Sequence, residues 1–210
     1  EKFKVLKKIK SFLKIRTSYD RYTGYIKNRK FIKKFKPTHK VKVLKTRIYK
    51  SNNFLPFSSE IEILKRKKNY VMYKKNKWIK KKDITNINTK EKNFVKIFKS
   101  YLNCKYRWGG KTYQGIDCSA LVQIYYKFNN KFFARDTIDQ IKYKKGSIKK
   151  KNFKLGDIIF WKGHVAVCLN ANQLIHAYGP RKKVVIMPIK RTINLIEKTA
   201  KLNVKKIFNI

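Results

Sequence analysis

The chain holds three cysteines and three histidines, and these are the residues best suited to nucleophilic chemistry. Cys118 follows a loop containing Gly109, Gly110 and Gly115 and opens the apolar run CSALVQIYYKF. A thiol at a helix start meets the positive end of the dipole and unpaired amides, both of which favour the thiolate. The same amides can receive the oxyanion of a tetrahedral intermediate. A free cysteine is also a good small core residue, so the helix start alone leaves nucleophile and packing evenly matched. His164 and His176 fall in consecutive predicted strands joined by a short turn near Ala171 and Asn172. On one sheet face, His164 would take the thiol proton while His176 holds the other ring nitrogen. Without the cysteine, two strand histidines read equally well as satisfied structural residues. His39, beside Pro37 and Thr38, reads as a linker or turn residue. Cys104, Cys118 and Cys168 cannot close a paired disulfide framework and lack the C-x-x-C spacing of zinc, so neither metal nor cofactor is expected.

These residues need elements to hold them. Phe94, Ile97, Phe98, Tyr101 and Leu102 recur at helical spacing, ending at Asn103. CSALVQIYYKF is apolar nearly all round and predicts a buried central helix, with Asp117 or Ser119 available as its cap. DIIFW, HVAVCL, QLIHAY, KVVIMPI and VKKIFNI read as strands. A helix bearing cysteine followed by an antiparallel sheet bearing histidine predicts an α+β layout. From Phe3 to about Asp83 the pattern is all-β: KVKVLKTRIYK, EIEIL, NYVMY and KWIKK are short alternating runs divided by turns. Pro37 separates two β sets. The first, ending at Ile32, is too short for a whole barrel and reads as having lost its opening strands. DITNINTKEK, from Asp83 to Lys92, reads as a polar linker. The expected division is 1–36, 37–85 and 86–210.

Composition sets outer limits. With 210 residues, 42% of them hydrophobic and 14% aromatic, the chain can bury a core and is not a disordered polymer. The balance of 56 Lys and Arg against 11 Asp and Glu gives +45, a field that attracts polyanions such as nucleic acid, anionic lipid or wall polymer. Lysine dominates in windows rich in Asn and Ile, so coding bias accounts for the charge at least as well. No apolar stretch reaches bilayer length, and EKFKVLKKIK lacks the apolar centre of a signal peptide. The chain is therefore expected to be a soluble or mature fragment without a transmembrane segment.

Four motifs in order sharpen this reading: YRWGG from Tyr106, GIDCSA from Gly115, GDIIFWKGHV from Gly156 and LIHA from Leu174. Together they resemble the NlpC-type cell-wall peptidases, papain-like bacterial enzymes with a Cys-His-polar triad, over about residues 91–210. The resemblance implies Cys118 as nucleophile, His164 as base and His176 as third member. It further implies that Tyr106 points its hydroxyl at the reacting centre, and that Asp117 and Ser119 bind the free amino end of a short wall peptide. Ala120 stands where the family usually has glycine, which changes local packing at most. Arg135, Asp136 and Gln140 match a recurrent family segment and are assigned to structural or groove support. PTHKVKVLKTRIY resembles the start of a second bacterial SH3-like domain and FLKIRTSYDRYTGYI the end of a first. In such relatives a β domain closes one end of the groove, which makes Asp20, Tyr22 and Tyr25 candidates to face it.

The expected activity is hydrolysis of peptidoglycan stem peptides at the γ-D-glutamyl to diamino-acid bond, through a thioester. The expected partners are peptidoglycan-derived peptides, with an anionic polymer on the basic surface, and the chain is expected to be a monomer. The bacterial envelope or periplasm is the expected place of work, with cytoplasmic muropeptide recycling as the alternative. Two other function classes are a non-catalytic wall- or polyanion-binding module and an acyltransferase on the same fold.

Overall fold

The computed structural model describes residues 1–31 and 36–210, so the expected end of the first β set at Ile32 lies outside the described residues. The chain divides into two compact units, Glu1–Thr89 and Lys90–Ile210.

In the first unit, β1 (Phe3–Ile9), β2 (Phe12–Thr17) and β3 (Thr23–Lys27) form an antiparallel meander. Its alternation follows from the pleat: Leu13 and Ile15 are buried while Phe12 and Arg16 are exposed. Eight short strands follow: β4 (His39–Val41), β5 (Lys45–Arg47), β6 (Phe54–Pro56), β7 (Glu60–Ile61), β8 (Lys65–Lys67), β9 (Tyr70–Lys74), β10 (Lys77–Lys80) and β11 (Ile84–Asn86). They pair as β11-β4-β7, β5-β6 and β10-β9-β8 around Val41, Ile48, Ile61, Val71, Ile79 and Ile84. Two expectations change here. His39 opens β4, opposite Ile61 and Asn86, and is not a linker residue. The segment from Asp83 is a strand before it is a linker, because Ile84 is buried and β11 pairs with β4.

The second unit contains α1 (Phe94–Ser100), β12 (Lys111–Thr112), β13 (Gly115–Ile116), α2 (Cys118–Phe128), α3 (Thr137–Gln140), β14 (Asp157–Trp161), β15 (His164–Cys168), β16 (Gln173–Tyr178), β17 (Lys183–Pro188), α4 (Ile189–Ala200) and β18 (Lys206–Asn209). The last five strands form one antiparallel sheet in the order β17-β16-β15-β14-β18. Helix α2 packs against β15 and β16. It is capped by Asp117, whose side chain accepts from Ala120 N–H at 2.8 Å, and all but one of its residues are buried. Helix α4 has no counterpart among the predicted elements. Its apolar residues Ile189 and Ile196 join Trp161, Tyr178 and Met187 in the sheet core, while Lys190 and Arg191 between them face outward. Among the described residues no helix is long and apolar enough to cross a membrane.

Candidate active site

The site begins at two turns. One is Arg107 to Gly110, closed by Gly110 N–H donating to Arg107 C=O at 2.8 Å. Gly109 takes φ +74°, and a Cβ on Gly110 would lie 2.4 Å from Gly115 O, so only glycine lets this turn lie against the strand before Cys118. Gly109 N–H in return donates to Asp117 Oδ2 at 2.9 Å. The other turn is Lys162–Gly163, which joins β14 to β15 with Trp161 opposite His164 and Gly163 at φ +76°. That turn delivers His164 as the first residue of its strand.

His164 and His176 share a face because each lies an even number of residues from the paired Cys168 and Leu174. Their rings meet: His164 Nε2 lies 2.9 Å from His176 Nδ1. The Cys118 sulfur approaches the same turn, 4.0 Å from Gly163 O, and accepts from the Val165 backbone N–H. The thiol is thus held by the residues on either side of His164. With Nε2 engaged by His176, Nδ1 is the His164 nitrogen left for an incoming proton.

The charge state of the site differs from the helix-start expectation. Burial pushes the Cys118 thiol up to about 11, and the nearby Asp117 carboxylate adds to it. The amides of Val165, Ser119 and Cys118 act in the opposite direction, and burial outweighs them. Burial likewise takes His164 down to about 4 and, with the charges of His164 and Arg181, His176 to about 2. A protonated thiol therefore faces neutral imidazoles.

Tyr106 is partly buried, its backbone N–H bonded to Lys182 C=O at 2.7 Å and its ring over Gly179 just beyond β16. Burial, then the charges of Cys118 and Asp117, push its phenol above the ordinary value, keeping it a donor. Asp117 and Ser119 are both buried. Asp117 Oδ1 accepts from Ala120 N–H, Ser119 Oγ–H and Arg135 Nη1–H, while Oδ2 accepts from Gly109 N–H and Arg135 Nη2–H. Arg135 Nη1 also donates to Ser119 Oγ at 2.8 Å, and Gln140 Nε2 donates to the Ser119 carbonyl at 2.9 Å. Asp136 lies 4.0 Å from the Arg135 guanidinium and its side chain is about half exposed.

Two neighbours have no place in the sequence reading. Tyr178 stacks on His176 with ring centres 4.6 Å apart, and the i, i+2 spacing in HAY is a legible sign of that shared face. Met187 places its sulfur 3.4 Å from His176 Nε2, and no spacing signals it. Among the described residues, no three His, Cys, Asp or Glu side chains gather as metal ligands.

A thiol at a helix start, two linked imidazoles and a phenol can support acyl transfer. Residues 103–199 match the model of the NlpC/P60 family. A segment of 87 residues, 40% of the chain, is 37% identical to Dipeptidyl-peptidase 6 of Lysinibacillus sphaericus and covers 31% of it. A segment of 92 residues is 34% identical to the probable endopeptidase NlpC homolog of Haemophilus influenzae, covering 41% of this chain and 49% of the relative. The matches thus span half or less of these curated relatives. A crystal structure of an NlpC/P60 family protein from Bacillus cereus shares the fold, with a TM-score of 0.79 over 98% of this chain and 78% of that one, at 20% identity.

Proposed function

We propose that this chain, whose residues 103–199 match the model of the NlpC/P60 family, is a cysteine peptidase that cleaves peptidoglycan stem peptides at the γ-D-glutamyl to diamino-acid bond, working in the bacterial envelope. The observation that supports it most is the 2.9 Å contact between His164 and His176, with the Cys118 sulfur against the turn that carries His164.

In this reading Cys118 gives its proton to His164 Nδ1 as its sulfur attacks the scissile carbonyl carbon. Backbone amides at the start of α2 and the Tyr106 hydroxyl receive the oxyanion. Collapse forms the thioester and breaks the C–N bond, and the amine departs with the proton from His164. Water then gives a proton to the same nitrogen, attacks the thioester, and releases the acid as the proton returns to sulfur. Asp117 and Ser119 serve the amino end of the peptide, where an ammonium exchanges for the Arg135 Nη1 donors on Asp117 Oδ1 and Ser119 Oγ. The all-β segments at 1–36 and 37–85 are read as SH3-like.

Incubation with L-Ala-γ-D-Glu-diaminopimelate tests the substrate. Release of the free diamino acid by the wild type and none by Cys118→Ala is the expected result. No cleavage by a protein whose Cys118 still reacts with an electrophile overturns the substrate assignment.

A second reading, attachment to an anionic polymer, is favoured by one observation. The strand register puts Lys4 opposite Arg16, Lys7 opposite Lys14, Lys14 opposite Tyr25 and Phe12 opposite Lys27, so one face of the β1–β3 sheet carries five cations and two aromatic rings. Residues 2–59 include a single acid, Asp20, which is buried. Cys118→Ala that still sediments with purified cell walls, and is released by salt, supports attachment; a protein that stays in the supernatant at low salt removes it.

A further inference from the structure

The contact between His164 and His176 admits two arrangements of hydrogens, and they differ in what they offer the thiol. Each neutral imidazole carries one N–H. If His164 holds its hydrogen on Nε2, it donates to His176 Nδ1 and presents a lone pair on Nδ1. If the shared hydrogen sits on His176 Nδ1, His164 Nε2 accepts it and Nδ1 carries the hydrogen, so no lone pair faces Cys118.

The deciding group lies one step further from the thiol. His176 is fully buried, so its Nε2 has no solvent to turn to. Its partner is Met187 Sδ at 3.4 Å, reached diagonally across the β16–β17 pair, where Val185 is opposite His176 and Met187 opposite Leu174. A thioether sulfur accepts a hydrogen bond and has no hydrogen to give.

We propose that Met187 is a positioning residue that sets the tautomer of both histidines. Its sulfur draws the His176 hydrogen to Nε2. That leaves Nδ1 of His176 as an acceptor, which draws the His164 hydrogen to Nε2 and frees His164 Nδ1 as the base. The opposite arrangement sets a nitrogen lone pair against sulfur lone pairs in a buried place. The same ordering serves the next step: once His164 has taken the thiol proton, both its nitrogens carry hydrogen, and only an accepting His176 Nδ1 can face Nε2. Tyr178, stacked on His176, holds the ring plane in which this works. Burial keeps both rings neutral near pH 7, so the ordering concerns one hydrogen per ring.

The inference rests on the roles given above to Cys118 and His164, but its main readout needs no substrate. In spectra of the full chain with ¹⁵N-labelled histidine at neutral pH, His164 and His176 are expected to carry hydrogen on Nε2 and none on Nδ1. Met187→Leu, close in volume but lacking the acceptor, is expected to give mixed tautomers and a kcat about three- to tenfold lower at unchanged KM. Met187→Gln, which returns an oxygen acceptor, is expected to recover most of the loss. A wild-type His176 protonated on Nδ1 overturns the proposal, and so does a folded Met187→Leu with unchanged tautomers and kcat. The wild-type spectrum decides even where the leucine variant does not fold. Correct tautomers without stem-peptide cleavage overturn the function proposed above and leave this inference standing.

Discussion

Arg135 and Asp117 meet as a two-pronged ion pair at the cap of the helix that begins with Cys118, Nη2 to Oδ2 at 2.6 Å and Nη1 to Oδ1 at 3.0 Å, with side chains only 5% and 7% exposed. The carboxylate already raises the Cys118 thiol, so the guanidinium moderates a charge that works against the thiolate. Arg135→Met leaves that charge buried and is expected to cost about 3–5 kcal/mol of stability, read by denaturant unfolding. It also moves the pH profile of Cys118 alkylation upward, followed by mass on the peptide containing Cys118. Adding Asp117→Asn removes the opposing charge and returns the profile toward wild type. An unmoved profile in a folded Arg135→Met protein sinks the electrostatic account.

His176 is expected to matter through the ring it orients. His176→Ala leaves His164 Nε2 without its partner and lowers kcat by about 100-fold or more, while His176→Asn, whose amide oxygen can accept, loses less. Steady-state kinetics on the tripeptide provide the comparison, and equal losses in the two variants would count against the orienting role.

Stability should fall on mild acidification. His164 and His176 have an ordinary value of 6.5 and are held down to about 4 and about 2 in the fold. The unfolded chain therefore binds protons below pH 6.5 that the native site refuses. Their contribution is complete above 6.5 and is lost as pH falls toward 4, by at most about 1.4 kcal/mol per pH unit for each histidine. Urea midpoints between pH 7 and 4.5 measure the slope, which His176→Asn should flatten; identical slopes would argue against the neutral pair.

Gly110→Ala adds a Cβ that meets Gly115 backbone oxygen at 2.4 Å and Arg107 oxygen at 2.9 Å, neither of which can swing aside. The expected cost is about 1–3 kcal/mol, with a larger proportional loss of activity because the same turn holds Asp117. Thermal unfolding and kcat/KM together check it; an alanine variant with wild-type values in both would overturn the packing argument.

How much of this was legible beforehand follows from which forces are local. The buried helix at Cys118 and the histidine strands show in hydrophobic period and turn residues, because each element's burial is written in its own few residues. Helix α4 was missed: its charged residues and Asn194 mask a narrow apolar stripe that only the sheet core makes visible. The pairing of strand β11 was missed for a related reason, since one buried Ile84 among polar neighbours gives no period. At the site, cysteine and histidine declare their chemistry by type. The thiol's charge state does not, because it depends on how completely the folded chain removes water, and Met187 gains its place beside His176 only through the register of two strands.

The protonated state of Cys118 has a consequence for how long the thiol lasts. Peroxides and related oxidants attack thiolates, and susceptibility rises with exposure. A thiol only 6% exposed and pushed up to about 11 offers them little of either. The arrangement stores the thiol in its least perishable form, and in the proposed reaction the sulfur becomes reactive only when His164 takes its proton during attack on a bound carbonyl.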